Sequence, residues 1–259
     1  MNLLTQLLHL VGSGASAYIM SRNMRDAKTR PDMLAGFQLA ESGSVPFLSA
    51  LSQRAATEGD QWLAEKLDRH AQDEQRHGHI FAHGLKQLNK QVIDFKSLPK
   101  TTADGKPDER RRSPFFEAYF EGYSQADLKP ETINWQVFFA STYILELDAS
   151  KDFVRMANAL PQDDAVSANL RKGILSVAHD ETGHAAYLRE AMERYLPHAE
   201  VAALIDEWRT RKVNAMLAMI GNLARRGKTP SLAQDGVPTE LSEGMAATDS
   251  ETQPSLTAA

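Results

Sequence analysis

The sequence predicts an all-α fold: four long helices paired as two hairpins in a bundle, a long crossover between the second and third, and an additional C-terminal helix. Three observations carry this. Apolar residues recur at alternating steps of three and four over four long segments, the period of a helix with one buried face. Alternating β-branched runs, the signature of strands, are nearly absent. The segments are separated by Gly, Pro and Asp clusters that stop one helix and start the next.

Residues 1–30 read as a mildly apolar, amphipathic lead-in, interrupted by Gln6 and His9 and without the basic start of a secretory signal. The bundle domain is expected over 31–226. Its first helix begins at Pro31 and Asp32, because proline fits the first helical turn, and its stripe is Leu34, Phe37, Glu41, Ser44, Leu48, Leu51 and Ala55. Glu58, Gly59 and Asp60 break the pattern. The second stripe is Leu63, Leu67, His70, Glu74, His77 and Phe81. A loop-rich crossover runs over 89–130 with Pro99, Gly105 and Pro107. Its basic run Arg110, Arg111, Arg112 reads as solvated loop, and a short aromatic helix is expected over 114–123. Phe115, Phe116, Tyr119, Phe120 and Tyr123 are too dense for an exposed linker, so they are expected to cap the core.

The third stripe is Trp135, Phe139, Thr142, Glu146, Ala149, Phe153, Met156 and Leu160. Pro161 to Asp164 then end that helix and open a fourth with Leu170, Ile174, Val177, Glu181, His184, Leu188, Ala191 and Tyr195. A fifth helix covers 199–225. From 227 to 259 the composition turns to Pro, Ser, Thr, Gly and acid, with Asp235, Glu240, Glu243, Asp249 and Glu251 against Lys228 alone. That composition predicts a disordered acidic tail.

A chain of 259 residues with 42% hydrophobic composition supports a complete core without staples. The absence of cysteine excludes disulfides, thiolate zinc sites, iron–sulfur clusters and a built-in rubredoxin-type electron path. Any metal must be held by carboxylate and imidazole. A net charge of −5 with no long Lys/Arg tract argues against nucleic-acid binding. No stretch approaches the roughly 18 apolar residues of a membrane span, and a cytoplasmic location is expected.

Besides His70, six acidic or imidazole residues interrupt the apolar stripes: Glu41, Glu74, His77, Glu146, Glu181 and His184. Carboxylates buried without partners cost several kcal/mol each, so four in one core demand cations or protons. Hairpin geometry places them at one level. The midpoint of Glu41 and Glu74 falls beside Gly59, and that of Glu146 and Glu181 within 161–164, so each pair is about 25 Å from its turn at about 1.5 Å per residue. Glu-x-x-His, present twice, puts a carboxylate and an imidazole on one helix face. One Glu from each of two helices with Glu-x-x-His from each of two others is a carboxylate-bridged dimetal ligand set. Imidazole with carboxylate suits iron or manganese, not calcium.

Through Glu41, Asp73-Glu74-Gln75-Arg76-His77, Glu146 and Asp180-Glu181-Thr182-Gly183-His184, residues 31–195 resemble the ferritin-like di-iron carboxylate superfamily. The resemblance implies two iron ions, with manganese or a mixed iron–manganese pair as the alternative. It implies Glu74 and Glu181 contacting both irons, Glu41 and Glu146 as terminal ligands, and Asp73 and Asp180 each orienting the histidine of the other pair. A ligating imidazole needs its second nitrogen held. His70, one turn before Glu74, reads as a hydrogen-bonded core histidine behind the ligands or as an extra ligand. Thr142, Tyr143 and Tyr187 lie within a turn of ligands and are weak candidates for proton or radical work, with plain packing favoured for the tyrosines. His79, His83 and His179 fall on outer faces. Pro46 either opens space beside Glu41 or lets the helix follow the bundle.

The function implied is dioxygen activation for oxidation of a small organic molecule, with an external ferredoxin or flavin reductase as electron donor. A homodimer is compatible with it. The string Asp73-Glu74-Gln75-Arg76-His77-Gly78 is similar to that of soluble acyl-carrier desaturases, although this chain is shorter and little else matches. The alternatives are a bacterioferritin-like ferroxidase or a peroxide-detoxifying protein, and a bundle that uses metal only for folding or binding. The long crossover argues against a storage cage.

Overall fold

In the computed structural model, residues 3–95, 98, 101, 113–226 and 230–236 are described. Among them, seven helices and two short strands follow in order: α1 (Leu3–Arg25), α2 (Arg30–Thr57), α3 (Gln61–Gln87), β1 (Lys90–Val92), α4 (Pro114–Tyr119), α5 (Trp135–Ala159), α6 (Ala165–Tyr195), α7 (His198–Arg226) and β2 (Ala233–Asp235). The described residues are all-α apart from the β1–β2 ribbon.

Local chemistry accounts for the boundaries. Pro31 and Asp32 occupy the first turn of α2. Gly59, at φ 87°, adopts a left-handed conformation that closes the turn into α3. Asp60 caps α3 by accepting from the Leu63 amide at 3.0 Å, and Asp164 caps α6 by accepting from the Ser167 amide at 2.7 Å. The aromatic helix is shorter than the expected 114–123. α4 stops at Tyr119, and Gly122 at φ 88° turns the chain away.

α2 packs along α3 and α5 along α6, and the two hairpins meet through α3 and α6. The backbones of α2 and α5 make no close approach. Side chains bridge them instead, with Phe37 on Phe153 at 5.0 Å and Phe47 on Phe138 at 6.1 Å between ring centres. α1 lies on α5 and α7, and α4 on α7, so these three helices cover the α2–α5 side. Of the five crossover aromatics, Tyr119 is fully buried in the core, donates to the Ser141 carbonyl at 2.9 Å and stands edge-on to Trp208; Phe115, Phe120 and Tyr123 pack half-buried against it, whereas Phe116 is exposed.

Two expectations need adjusting. The lead-in is a continuous helix of 23 residues; among its described side chains Ala17 and Met24 are buried hydrophobics, while Leu7, Leu10, Val11 and Tyr18 stay exposed. Part of the expected tail is ordered. β2 pairs antiparallel with β1, Gln91 opposite Gln234, and Asp32 accepts from the amides of Leu232 and Ala233 at 2.9 and 3.0 Å. A carboxylate in the first turn of α2 thus tethers a segment some two hundred residues away, which no local pattern foretells. Arg110, Arg111, Arg112, Pro99, Gly105, Pro107 and the rest of the tail lie outside the described residues. Among the described residues no helix is long and apolar enough to cross a membrane.

The apolar core is divided in two. One cluster gathers Leu51, Leu67, Phe139, Ile144 and Leu188; the other gathers Leu34, Phe81, Phe153, Met156 and Ile174. Each of α2, α3, α5 and α6 contributes to both, and between the clusters it carries Glu41, Glu74 with His77, Glu146, or Glu181 with His184.

Candidate metal centre

All six candidate ligands, Glu41, Glu74, His77, Glu146, Glu181 and His184, converge in the layer between the apolar clusters. Glu41, Glu74, His77, Glu181 and His184 are buried, and the Glu146 side chain is 15% exposed. His77 Nδ1 lies 3.3 Å from Glu181 Oε1, 3.5 Å from Glu41 Oε2 and 3.7 Å from Glu74 Oε1. His184 Nδ1 lies 2.9 Å from Glu181 Oε2 and 3.6 Å from Glu74 Oε1.

The outward nitrogens are held crosswise. His77 Nε2 is 3.3 Å from Asp180 Oδ2, and His184 Nε2 is 3.4 Å from Asp73 Oδ2. Each aspartate therefore serves the histidine of the other helix. Arg76 ties the two together, donating from Nη2 to Asp73 Oδ1 at 3.0 Å and to Asp180 Oδ2 at 2.5 Å. Gly78 permits the adjoining approach of α2, since a Cβ there would collide with the Ser42 hydroxyl.

His70 belongs to the same cluster. It is 1% exposed, its Nε2 lies 3.1 Å from Glu74 Oε1 and 3.5 Å from Glu146 Oε1, and its ring stacks on His184 at 3.7 Å. Two groups of candidate ligands result, His70 with Glu74, Glu146 and His184, and Glu41 with Glu74, His77 and Glu181. Within each, the ligand atoms lie within 4.8 Å of one another.

Burial and proximity push the protonation of these groups apart. Burial raises Glu41 well above the usual carboxylate range, and burial with the neighbouring Glu181 pushes Glu146 up to about 8. Burial works against charge at Glu74 too, but hydrogen bonds with His70 and Glu41 pull it down to about 2. Burial would likewise lower His77, yet Glu181 and Glu41 raise it to about 10. Burial and the neighbouring His70 bring His184 down to about 4.

The donor set fits a pair of divalent cations. His77 Nδ1 is buried without a hydrogen-bond partner while facing three carboxylates, an orphan that a cation would satisfy. Four carboxylates and three imidazoles in one layer offer enough donors for two ions, and oxygen with nitrogen donors suits iron or manganese.

Of the weaker candidates, Thr142 lines the cavity described below, whereas Tyr143 is buried outside it and pairs with Arg189. The Tyr187 hydroxyl is 2.7 Å from His70 Nδ1. His79, His83 and His179 are exposed. α2 continues as helix through Pro46, and Ser44, Phe47 and Leu48 around it face the cavity. Sequence reasoning did not find the bridging role of Arg76, although it stands inside the motif. Nor did it find Ser44, whose hydroxyl lies 2.6 Å from the Glu41 carbonyl and 3.1 Å from Glu74 Oε2.

A cavity of about 510 Å³ fills the gap between α2 and α5. Its floor is Glu41, Glu74, Glu146, Glu181 and His70; phenylalanines of α2 and α5 form the walls, and α1, α4 and α7 roof it with Met20, Phe116 and Met216. Polar groups stand at the rim, where Lys212 donates to Asp148 at 2.6 Å.

No protein-family model, no curated protein and no solved structure matches this chain. Geometry and chemistry at the site therefore carry its functional reading.

Proposed function

We propose that this chain is a ferritin-like, non-haem di-iron oxidoreductase that uses dioxygen to hydroxylate or desaturate an apolar organic substrate. The observation that carries this reading is the apolar cavity whose floor is the carboxylate–imidazole cluster: a protein that only handled iron would need a polar path to it. The cavity is within the usual size range for small-molecule sites. Its lining positions on α5 run from Phe138 to Met156, roughly 27 Å at about 1.5 Å per residue, which suits an elongated molecule.

Glu41, Glu74, His77, Glu146, Glu181 and His184 would hold the metals, and Asp73 and Asp180 orient the imidazoles through their outward nitrogens. An iron pair bound there would supply two of the four electrons that reduce dioxygen, the substrate's own bonds supplying the other two. Either reaction consumes one dioxygen, two electrons delivered to the metals and two protons, and an external ferredoxin or flavin reductase would deliver the electrons, since the sequence has no cysteine to hold a rubredoxin or iron–sulfur centre. The phenylalanine walls and the α1–α4–α7 roof surround the reacting end with mostly apolar side chains. Thr142 lines the cavity one turn before Glu146, a position from which its hydroxyl would relay a proton.

The test is anaerobic loading with Fe(II) followed by metal analysis and dioxygen uptake. Two irons per chain are expected, with less than half of that in the double variant Glu74→Ala, His184→Ala. Equal iron in wild type and variant overturns the site. Dioxygen uptake is expected to rise with long-chain alkyl or aromatic compounds in the presence of a reductase. If only Fe(II) or peroxide stimulates turnover, the oxidation of organic substrates is overturned in favour of iron or peroxide handling.

A further inference from the structure

We infer that His70 is a seventh metal ligand, and that it makes the two metal positions chemically unlike. One position is served by His70, His184, Glu74 and Glu146, and the other by His77, Glu41, Glu74 and Glu181. The inference rests on reading the cluster as a dinuclear centre, and goes beyond the symmetric six-residue set.

Three imidazoles enter the layer, and all three are built alike. His77 turns Nδ1 to the carboxylates and has Nε2 against Asp180; His184 turns Nδ1 inward and has Nε2 against Asp73. His70 turns Nε2 inward, 3.1 Å from a Glu74 oxygen and 3.5 Å from a Glu146 oxygen, and has Nδ1 against the Tyr187 hydroxyl at 2.7 Å. One nitrogen among carboxylates from two helices, with the other held by an oxygen behind, is the arrangement that fixes tautomer and ring direction in a ligating histidine. The ring also lies within the ligand layer, stacked on His184 at 3.7 Å, with Nε2 among the candidate donor atoms.

Nothing balances His70 across the site. Superposing Glu74 on Glu181 in the two motifs puts His70 opposite Val177 and Tyr187 opposite Ile80. One metal position therefore draws on two imidazoles and two carboxylates, the other on one imidazole and three carboxylates. Imidazole-rich sites favour iron over manganese and carboxylate-rich sites are the better home for manganese. A mixed pair would place manganese on the His77 side.

Anaerobic calorimetric titration with Fe(II), with Mössbauer spectra of the ⁵⁷Fe-loaded protein, tests this. Wild type is expected to take up two irons in two steps of different affinity and to show two distinct quadrupole doublets. His70→Gln is expected to weaken one step about tenfold or more and to shift one doublet, leaving the other step within about twofold. Tyr187→Phe, which removes only the hydroxyl behind His70, is expected to weaken that same step by a smaller factor, and it serves if His70→Gln fails to fold. Unchanged steps and doublets in the variants overturn the inference, as does equal weakening of both steps. Uptake of fewer than two irons by wild type instead overturns the dinuclear reading beneath it.

Discussion

The hairpin α2–α3 and the hairpin α5–α6 carry one motif in two different settings. Asp73, Glu74 and His77 match Asp180, Glu181 and His184, and Glu41 matches Glu146. Yet the two histidines of the motif are driven in opposite directions. Burial disfavours the charged form of both; the nearby carboxylates of Glu181 and Glu41 override it at His77 and raise it to about 10, whereas His70 beside His184 adds to it and leaves that residue at about 4. The unmatched neighbours explain the contrast: His70 stands opposite Val177, Arg76 opposite Gly183, and Ser44 opposite Ala149. Matched residues build a cradle, and unmatched ones make its halves unequal.

The largest expected effect breaks that comparison at its shared member. Glu74 belongs to both ligand groups while Glu41 and Glu146 belong to one each. Metal analysis after Fe(II) loading is expected to find almost no iron in Glu74→Ala and about one iron per chain in Glu41→Ala or Glu146→Ala. Equal retention in all three variants would show that Glu74 is not shared.

Next in size are the apolar clusters on either side of the layer. Phe81 and Leu188 occupy equivalent positions four residues after each motif histidine, and both are fully buried, one in each cluster. Phe81→Ala should cost about 3–5 kcal/mol and Leu188→Ala about 2–5 kcal/mol in chemical denaturation. Because the polar layer separates them, the double variant should be additive within about 0.5 kcal/mol. A larger coupling energy would mean that the layer transmits packing changes.

Arg76 offers a finer test. Asp73→Asn and Asp180→Asn should each weaken metal affinity about 10–100-fold, predominantly at the position whose histidine they hold. Arg76→Met should weaken both positions, because one guanidinium holds both carboxylates. If Arg76→Met behaves like either single aspartate variant, the bridge does not couple the halves.

The smallest effect is a pH dependence. In chelator-treated protein, the raised Glu146 contributes stability that is full below about 4.5 and lost as pH rises through about 8; the raised His77 contributes stability that is full below about 6.5 and lost through about 10. The lowered Glu74 and His184 lose their contributions only on the acid side, toward about 2 and about 4. Thermal melts of the chelated protein should therefore fall by a few degrees between pH 6.5 and 9. Stabilisation by added Mn(II) should grow over the same range, since binding displaces protons from these ligands. A flat chelated profile would mean that the layer does not store protons.

Helix class, the turns of the two hairpins and the six candidate ligands were legible in the sequence by itself, because periodicity, caps and Glu-x-x-His spacing are local properties of a few turns, whereas the helix over 3–25 and the end of α4 were not. The hairpin arithmetic extended this to the height of each glutamate, since short turns leave little freedom. Tertiary structure alone decided the rest. His70 is one turn from Glu74, a spacing common on any helix face, and only the arrival of Glu146 and Tyr187 from α5 and α6 turns its two nitrogens to different tasks. Arg76 acquires its role only when α6 brings Asp180 beside Asp73. The cavity exists because α2 and α5 are held apart by phenylalanines and roofed by helices distant in the chain, and the β1–β2 ribbon because Asp32 captures residues 232 and 233. Each depends on contacts between segments far apart in sequence, which a local pattern does not encode.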